Sequence, residues 1–178
     1  MKIQSTKFEK AKIIEIPFFR DFRGDYVETF NENLYKCLDI KAPFIQDSFS
    51  TSRKDVLRGF HGDKETWKLI QVVSGEVYQV IVDLNENSTT YMQWQAFIIN
   101  AKDHKQLLIP PGFGNAILAL TDDVVYYYKQ TTYYGNPKQF TISWDEPLLD
   151  VYWPIKNPIL SERDANADSL SSNGWKAV

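Results

Sequence analysis

The chain has 178 residues, so one domain with a substantial hydrophobic core is the simplest expectation. Its formal net charge is −3, and no long basic run offsets it, so nucleic acid is not an expected partner. The start shows no secretion signal, and no segment reaches the ~18–20 apolar residues that a membrane-spanning helix needs. The sequence therefore predicts a cytoplasmic protein with no membrane partner.

Cysteine and histidine are scarce. Cys37 is the single cysteine, which excludes an intramolecular disulfide and a zinc site built on several cysteines. The two histidines, His61 and His104, do not form the His-x-His pair with which double-stranded β folds often hold a metal. The sequence therefore predicts no metal site.

The first predicted element is a short helix over residues 31–38, where Phe30, Leu34 and Leu38 repeat at helical spacing. Residues 68–84 are rich in Val and Ile, with Ser74-Gly75 in the middle, and predict a hairpin of two strands. Further strands are predicted over residues 93–99, 106–109, 116–120, 124–129 and 139–144. Many short strands at this spacing favour an all-β sandwich, jelly roll or barrel.

A second short helix is predicted near residues 161–167. The polar tail over residues 168–178 is expected to be held loosely. With no internal repeat or linker, we expect one domain over residues 1–178, with its core at about residues 8–164.

Two groups of residues are candidates for chemistry. Histidine suits proton abstraction because its ordinary pKa of about 6.5 lies close to cytoplasmic pH, so His61 fits either a proton-transfer role or a buried hydrogen bond. His104, in a charged run, is expected to be a solvated loop residue. In Tyr126-Tyr127-Tyr128-Lys129, strand alternation places Tyr126 and Tyr128 on one face, which fits a packed aromatic strand or a tyrosine that acts as a general acid.

Taken together, the motifs over about residues 18–164 resemble the dTDP-4-dehydrorhamnose 3,5-epimerase family. The segments that carry the resemblance are Asp21-Phe22-Arg23-Gly24 with Glu28, Gln46-Asp47-Ser48, Val56-Leu57-Arg58-Gly59-Phe60-His61, Lys68-Leu69, Gly75-Glu76-Val77, Val82-Asp83-Leu84, Ile109-Pro110-Pro111-Gly112-Phe113, Tyr128-Lys129, Tyr133-Tyr134, Trp144-Asp145-Glu146-Pro147, Trp153-Pro154 and Leu160-Ser161-Glu162-Arg163-Asp164. Each segment is a weak signal alone, and their common order makes the match strong.

The resemblance implies a cupin-type jelly roll (a double-stranded β-helix) with one or two short helices, which works as a homodimer without a cofactor. It implies that His61 is the general base, that Asp164 orients it, and that Tyr128 is the general acid on the opposite face of the sugar. It places Lys68 beside the C4 oxygen, where negative charge develops. The substrate-binding positions that it implies are Arg23, Glu28, Gln46, Ser48, Arg58, Asn115, Tyr134, Gln139 and Arg163.

The activity implied is 3- and/or 5-epimerisation of a nucleotide-diphospho-4-keto-6-deoxy sugar, by proton transfer at carbons next to the C4 ketone, for capsule, lipopolysaccharide or other surface glycans. One alternative is a nucleotide-sugar 3,4-ketoisomerase on the same fold. Another is a non-catalytic sugar-binding cupin, against which the full acid–base set argues, because binding needs no opposed His and Tyr.

Two positions depart from the family pattern. Asn115 stands where most members carry His, and Gln139 stands where they carry Glu. These positions and their neighbours look more like the branch that epimerises GDP-linked 4-keto-6-deoxy-heptoses. An amide donates and accepts hydrogen bonds, whereas an ionised carboxylate only accepts them, so the exchange can alter the choice of base. The sequence therefore predicts a GDP-linked or other non-thymidine substrate, with a dTDP-linked sugar as the alternative.

Overall fold

The computed structural model describes residues 1–135 and 138–175. The strands are β1 Lys2–Ser5, β2 Lys12–Glu15, β3 Phe18–Asp21, β4 Gly24–Val27, β5 Gln46–Ser52, β6 Leu57–Gly62, β7 Lys68–Ser74, β8 Glu76–Asp83, β9 Trp94–Asn100, β10 Lys105–Ile109, β11 Phe113–Ala119, β12 Val124–Gln130 and β13 Phe140–Thr141. The helices are α1 Glu32–Tyr35 and α2 Glu162–Ala165, with 3₁₀ turns at Lys36–Leu38 and Ala101–Asp103.

Two antiparallel sheets form the body of the molecule. One has the order β1-β2-β10-β7-β12-β5 and the other the order β13-β6-β11-β8-β9, while β3 and β4 pair as a separate hairpin. Apolar residues of both sheets, among them Ile70, Val72, Ile81 and Ile117, form one buried cluster, so the main core lies between the sheets. The predicted all-β jelly roll is confirmed.

The predicted hairpin over residues 68–84 is wrong. β7 pairs with β10 and β12, whereas β8 pairs with β9 and β11, so the two strands belong to different sheets. Gly75, at φ +77°, makes the corner between them, and a Cβ there would lie 2.6 Å from Thr121 Oγ1. A short turn between two apolar strands therefore crosses from one sheet to the other.

Most of the other predicted strands and helices are confirmed, and one strand is shorter than predicted. β9, β10, β11 and β12 occupy the strands predicted over residues 93–129, and α1 and α2 lie within the two predicted helices. The strand predicted over residues 139–144 is reduced to the two residues of β13.

The predicted loose tail is also wrong as far as the described residues extend. Leu170 is fully buried, and Trp175 packs against Phe140 and donates from Nε1 to the carbonyl oxygen of Leu84 at 3.0 Å. Both belong to an apolar cluster that covers the outer face of the five-stranded sheet. Polar composition misled the prediction, because two apolar side chains suffice to anchor the segment. Residues 176–178 lie outside the described residues.

His104 is buried rather than solvated, which overturns the sequence expectation. Its Nε2 lies 2.9 Å from Asp25 Oδ2, and its ring packs against Phe18 in a tilted arrangement, with the ring centroids 4.5 Å apart. The contact ties the β3–β4 hairpin to the start of β10. Within the described ranges, no helix is both long and apolar enough to cross a bilayer.

Candidate active site

A cavity of about 190 Å³ opens between the two sheets. Its lining residues are Ser50, Arg58, His61, Lys68, Ile70, Asn115, Ile117, Tyr126, Tyr128, Tyr134 and Arg163. The formal charges among these lining residues are all positive, although the whole chain carries a net charge of −3. A local cationic cavity of this kind favours an anionic ligand or an anionic reaction intermediate.

The sheets form opposite walls of this cavity. His61 and Asn115 come from β6 and β11 of one sheet. Lys68 and Tyr128 come from β7 and β12 of the other sheet, where Tyr128 lies between Ile70 and Ser48 in the strand register. The predicted base and the predicted acid therefore stand on different sheets, with the cavity between them.

A bulge in β6 brings Arg58 and His61 to the same wall. The two residues are three positions apart, so simple alternation would place them on opposite faces. In the register, Arg58 pairs with Ile117 and His61 pairs with Asn115, so β6 has one residue more than β11 over this stretch. Gly59, at φ +119°, lies at the bulge, where a Cβ would lie 2.4 Å from the Asn115 carbonyl oxygen.

His61 forms a close pair with Asp164. Nε2 of His61 lies 2.5 Å from Oδ1 of Asp164, and the carboxylate is 3% exposed. Because a carboxylate only accepts hydrogen bonds, Nε2 carries the proton of the neutral ring, and Nδ1 is left as the basic nitrogen. The pair is suited to proton abstraction, since the carboxylate stabilises the imidazolium that forms.

Local structure explains why Asp164 stays charged and in place. Ser161 caps α2 and accepts from the Asp164 backbone N–H at 3.1 Å, while its hydroxyl donates to Oδ2 at 3.0 Å. Burial acts to raise the pKa of the Asp164 carboxyl, but the hydrogen bond and charge of His61, with hydrogen bonds from Ser161 and the Gly59 N–H, lower it below its usual value. The carboxylate is therefore ionised at neutral pH.

Lys68 is the cation on the opposite wall. Burial lowers the pKa of its ammonium, with an opposing effect from Asp63 and a further lowering by the charge of Arg163. Within residues 1–135 and 138–175, its Nζ has no hydrogen-bond partner, yet it is not among the buried unpaired atoms. Its donors therefore reach the cavity and are available to an oxyanion.

The two tyrosines of β12 that face the cavity differ in their hydrogen bonds. Tyr126 donates to Gln79 Oε1 at 2.8 Å, and burial raises its pKa. The Tyr128 hydroxyl makes no hydrogen bond within the described residues. Tyr128 is thus the tyrosine whose proton is free for a substrate.

Two arginines line the cavity and are held by hydrogen bonds to neighbouring residues. Arg58 donates to Ser52 Oγ at 3.1 Å and to the Thr51 carbonyl oxygen, and Arg163 donates to Thr141 Oγ1 at 2.8 and 2.5 Å. Anchored guanidinium groups of this kind suit bidentate binding of phosphate.

Gln46 and Ser48 are close to the cavity without lining it. Gln46 accepts from the backbone N–H of Tyr134 at 2.8 Å and donates to Ser48 Oγ at 3.0 Å. They support the loop that carries Tyr134.

Besides Gln46 and Ser48, three more predicted substrate-binding residues do not line the cavity of their own chain. Arg23, in the β3–β4 hairpin, is exposed and paired with Asp21 at 2.7 Å. Glu28 is exposed and accepts from Asn31 at 3.0 Å. Gln139 is half-buried beside β13 and does not line the cavity.

Sequence reasoning missed three supporting residues. Gln79 is fully buried and bonded to Asn115, Ser161 holds Asp164, and Thr141 holds Arg163. A signal existed for two of them, because Gln79 interrupts an apolar strand and Ser161 precedes Asp164 at the spacing of a helix cap. Nothing in the sequence indicates Thr141.

A histidine–carboxylate pair on one wall, with a lysine and a tyrosine hydroxyl on the opposite wall, is the arrangement expected of a jelly-roll isomerase that works by proton transfer. The comparisons with known proteins agree. The dTDP-4-dehydrorhamnose 3,5-epimerase profile matches residues 5–172, and the chain belongs to this family.

Relatives named as epimerases match nearly the whole chain. It is 36% identical over 173 residues to dTDP-4-dehydrorhamnose 3,5-epimerase from Methanothermobacter thermautotrophicus, covering 94% of each chain. The crystal structure of an epimerase from Legionella pneumophila, in complex with dTDP-4-keto-L-rhamnose, is similar with a TM-score of 0.90, 36% identity and coverage of 96% of this chain and 93% of that one. A 3'-monoepimerase from Streptomyces bikiniensis in complex with dTDP-quinovose is similar with a TM-score of 0.86 and 28% identity, covering 93% and 86% of the two chains.

Proposed function

We propose that this epimerase inverts one or both carbons that flank the ketone of a nucleotide-diphospho-4-keto-6-deoxy sugar used for surface glycans. The observation that carries the proposal is the position of His61 and Tyr128 on opposite walls of one cavity. Inversion needs a proton removed from one face of a carbon and a proton delivered to the other face. Two proton-transfer groups on opposite walls satisfy that requirement.

The first half of the reaction uses His61 and Lys68. Nδ1 of His61 takes the proton from the carbon next to the ketone, and the C–H electron pair moves into the ring to form an enolate on the C4 oxygen. The imidazolium is stabilised by Asp164, 2.5 Å away. Lys68 donates to the enolate oxygen. Because its ammonium group is largely removed from water, this interaction is stronger than it would be in solvent.

The second half uses Tyr128. Its hydroxyl donates a proton to the same carbon from the opposite face, and the electron pair returns from the enolate to the carbon as the C4 ketone reforms. The tyrosinate then regains a proton from solvent, and His61 releases one. No redox change is involved, so these residues account for the whole proton balance.

The positive charge of the cavity favours binding of the nucleotide diphosphate part of the substrate. Arg58 and Arg163 are anchored at the cavity, and an anchored guanidinium loses little freedom when it binds a phosphate. Tyr134, with an exposed ring at the same cavity, is placed to stack on the nucleotide base.

For the nucleotide, we favour dTDP. Asn115 pairs with His61 in the strand register, which places it beside the reacting sugar rather than beside the base. The GDP-linked substrate predicted from sequence therefore loses Asn115 as support and rests on Gln139, outside the described cavity lining. The named relatives in complexes carry dTDP sugars. Isothermal titration of dTDP against GDP tests this choice, and tighter binding of GDP would reverse it.

The proposal includes a homodimer. Arg23 lies outside the cavity of its own chain, so a role in substrate binding requires a second copy to deliver it. Phe19, Phe22 and Tyr26 of the same hairpin are 72%, 98% and 68% exposed, which is typical of a surface that a partner covers.

Mixing two inactive variants tests this arrangement. Arg23→Ala and His61→Asn protomers, once exchanged, would together form one intact site if the hairpin serves the neighbouring copy. Recovery of activity is the expected result. No recovery, with mixed dimers demonstrated by mass spectrometry, would mean that each hairpin serves its own chain.

The deciding experiment for the activity is a panel of dTDP- and GDP-linked 4-keto-6-deoxy sugars in deuterated water, followed by NMR at each ring carbon. We expect deuterium at C3, C5 or both, with inverted configuration. Movement of the carbonyl would identify a 3,4-ketoisomerase instead, and tight binding without deuterium uptake would identify a non-catalytic sugar-binding protein. A cytoplasmic location completes the proposal, and the unpaired thiol of Cys37 is consistent with it.

A further inference from the structure

Behind the cavity wall, three side chains form a buried hydrogen-bonded chain that the reaction above does not use. Tyr126 donates to Gln79 Oε1 at 2.8 Å, and Gln79 Nε2 donates to Asn115 Oδ1 at 2.6 Å. Gln79 is fully buried and does not line the cavity, whereas Tyr126 and Asn115, at the two ends of the chain, do. The chain therefore connects the two walls of the site through a buried side chain.

Backbone carbonyl groups fix the direction of every bond in this chain. Gln79 Nε2 also lies 3.0 Å from the Ala116 carbonyl oxygen and 3.1 Å from that of Val80. A carbonyl oxygen can only accept, so the NH₂ of Gln79 must face these groups, and its oxygen must face Tyr126. The Asn115 atom that faces Gln79 must then be its oxygen. The amide of Asn115 is oriented without ambiguity.

The Asn115 amide nitrogen carries two hydrogens. One is directed at the Tyr126 hydroxyl, since a hydrogen bond from Asn115 acts to lower the pKa of Tyr126 against the larger effect of burial. Since Asn115 is half-buried and lines the cavity, the other hydrogen of Nδ2 is left for a ligand at the cavity surface. A free donor beside a substrate needs an acceptor, and the acceptors of a keto sugar are its oxygens.

The position of Asn115 limits which substrate oxygen can accept its hydrogen bond. Asn115 and His61 are partners in the β6–β11 register, and directly opposed side chains on one face have Cβ atoms about 4.5–5.5 Å apart. The donor thus stands on the same wall as the general base, opposite Lys68. A substrate oxygen next to the carbon that His61 deprotonates would lie in the cavity that both Asn115 and Lys68 line.

We infer that Asn115 donates through Nδ2 to an oxygen of the keto sugar beside the deprotonated carbon, and that Gln79 and Tyr126 are positioning residues that hold it as a donor. This inference rests on the proposed epimerase function. In chemical terms, the cavity wall that carries the base also supplies an uncharged hydrogen-bond donor. Buried side chains determine that the NH₂ end of its amide faces the substrate. The same chain commits the proton of Tyr126 to Gln79, so Tyr126 does not act as the general acid.

Asn115→Asp is the most direct test. Aspartate keeps the size of the side chain and still accepts from Gln79, but it presents an acceptor oxygen to the substrate instead of a donor. We expect kcat to fall on the order of 10²-fold, as for loss of one donor to a developing oxyanion. The affinity for the free nucleoside diphosphate should be unchanged. Near wild-type kcat for Asn115→Asp would overturn the inference.

Gln79→Met tests the positioning role, because it keeps the volume and frees the Asn115 amide to rotate. We expect kcat to fall about tenfold, the effect of one lost hydrogen bond, with little change in KM. In an Asn115→Ala background, the same change should lower kcat no further. An equal, additive loss in both backgrounds would show a merely structural role and overturn the assignment of Gln79.

The chain offers a matched control. Gln106 is also buried, accepts from a tyrosine hydroxyl (Tyr35, at 2.6 Å) and lies away from the cavity. Gln106→Met should reduce thermal stability as Gln79→Met does, but leave kcat unchanged. Should Gln79→Met fail to fold, Asn115→Asp still decides the donor role. Wild-type protein without any deuterium exchange would overturn the proposed function and this inference together, whereas exchange with insensitive variants would overturn only the inference.

Discussion

Oδ1 of Asp164 lies 2.5 Å from Nε2 of His61, although 103 positions separate the two residues in the sequence. The segment before α2 makes this possible by running along the start of β6, where the Leu57 N–H donates to the Ile159 carbonyl oxygen at 3.0 Å. The pairing of the proposed general base with its carboxylate thus depends on the docked C-terminal part of the chain.

Replacing Asp164 by Asn should lower kcat roughly 10²–10⁴-fold, because an amide cannot stabilise the imidazolium. The pKa of this carboxyl is lowered in the folded state, so its contribution to stability is present above the ordinary carboxyl pKa and is lost as pH falls through the lower folded value. The part of the stability difference between wild type and variant that comes from this carboxyl should therefore shrink as pH falls below about pH 4. Urea melts between about pH 3 and 5 measure it, and a difference that grows as the carboxyl becomes protonated would contradict this account.

His61→Asn should abolish deuterium exchange at both C3 and C5, with a loss of ~10²–10⁴-fold in rate. The side chain is partly exposed at the cavity wall, so the fold and most of the nucleotide affinity should survive. NMR exchange rates and titration calorimetry give both quantities. Normal exchange in a correctly folded variant would transfer the role of base to another residue.

Tyr128→Phe removes only a hydroxyl that has no hydrogen bond within the described residues, so packing should be preserved. We expect exchange without net inversion, or much slower inversion, because His61 can still remove and return a proton on its own face. Tyr127→Phe is the matched control, since Tyr127 bonds Asp47 at an exposed position and does not line the cavity. Equal inversion rates in wild type and Tyr128→Phe would exclude Tyr128 as the acid.

Lys68→Met should lower the activity and raise the stability of the folded protein. Burial lowers the pKa of Lys68, so the charged side chain costs stability in full below the lowered folded pKa. The cost shrinks as pH rises from that value and is gone above the ordinary lysine pKa. We expect the variant to be more stable at pH 7 by on the order of 1 kcal/mol, with kcat lowered about 10²-fold. Denaturant melts at pH 7 and at alkaline pH test the sign, and a less stable variant at pH 7 would refute it.

Trp175→Ala should destabilise the protein by about 3–5 kcal/mol, the usual cost of removing a buried tryptophan. The variant loses the contact with Phe140 and the hydrogen bond to the Leu84 carbonyl oxygen. Tyr152→Ala, at a side chain that is 68% exposed, should change stability by less than about 0.5 kcal/mol. Similar melting temperatures for both variants would support the prediction from composition that the C-terminal segment is held loosely.

Sequence patterns predicted the strands that pack on both faces and failed where tertiary contacts decide. β8 and β11 are nearly continuous apolar runs and were readily predicted, whereas exposed β3 and β4 carry no such pattern. Local patterning also cannot tell a hairpin from a corner, which is why β7 and β8 were paired wrongly. The direction of a turn depends on what packs beneath it, here Thr121 against Gly75.

For the site, motif resemblance indicated candidate residues, and the structure brings His61, Lys68, Asn115 and Tyr128 to one cavity. Resemblance could not indicate how each is held, because the supporting contacts come from residues distant in sequence. The bulge that turns Arg58 towards the cavity is one example, since alternation alone predicts the opposite face. His104 is another, because its burial depends on the fold of the β3–β4 hairpin.

The corner at Gly75 has a consequence for substrate choice. Because β7 and β8 belong to different sheets, the proposed base and acid sit on separate layers, and apolar side chains fill much of the space between those layers. Ile70 and Ile117 are members of that apolar cluster and also line the cavity. The hydrophobic core is thus a spacer, and its thickness sets how wide a sugar ring fits between the two proton-transfer groups. Substitutions of core residues that take no part in proton transfer can therefore change which ring substituents the cavity accepts.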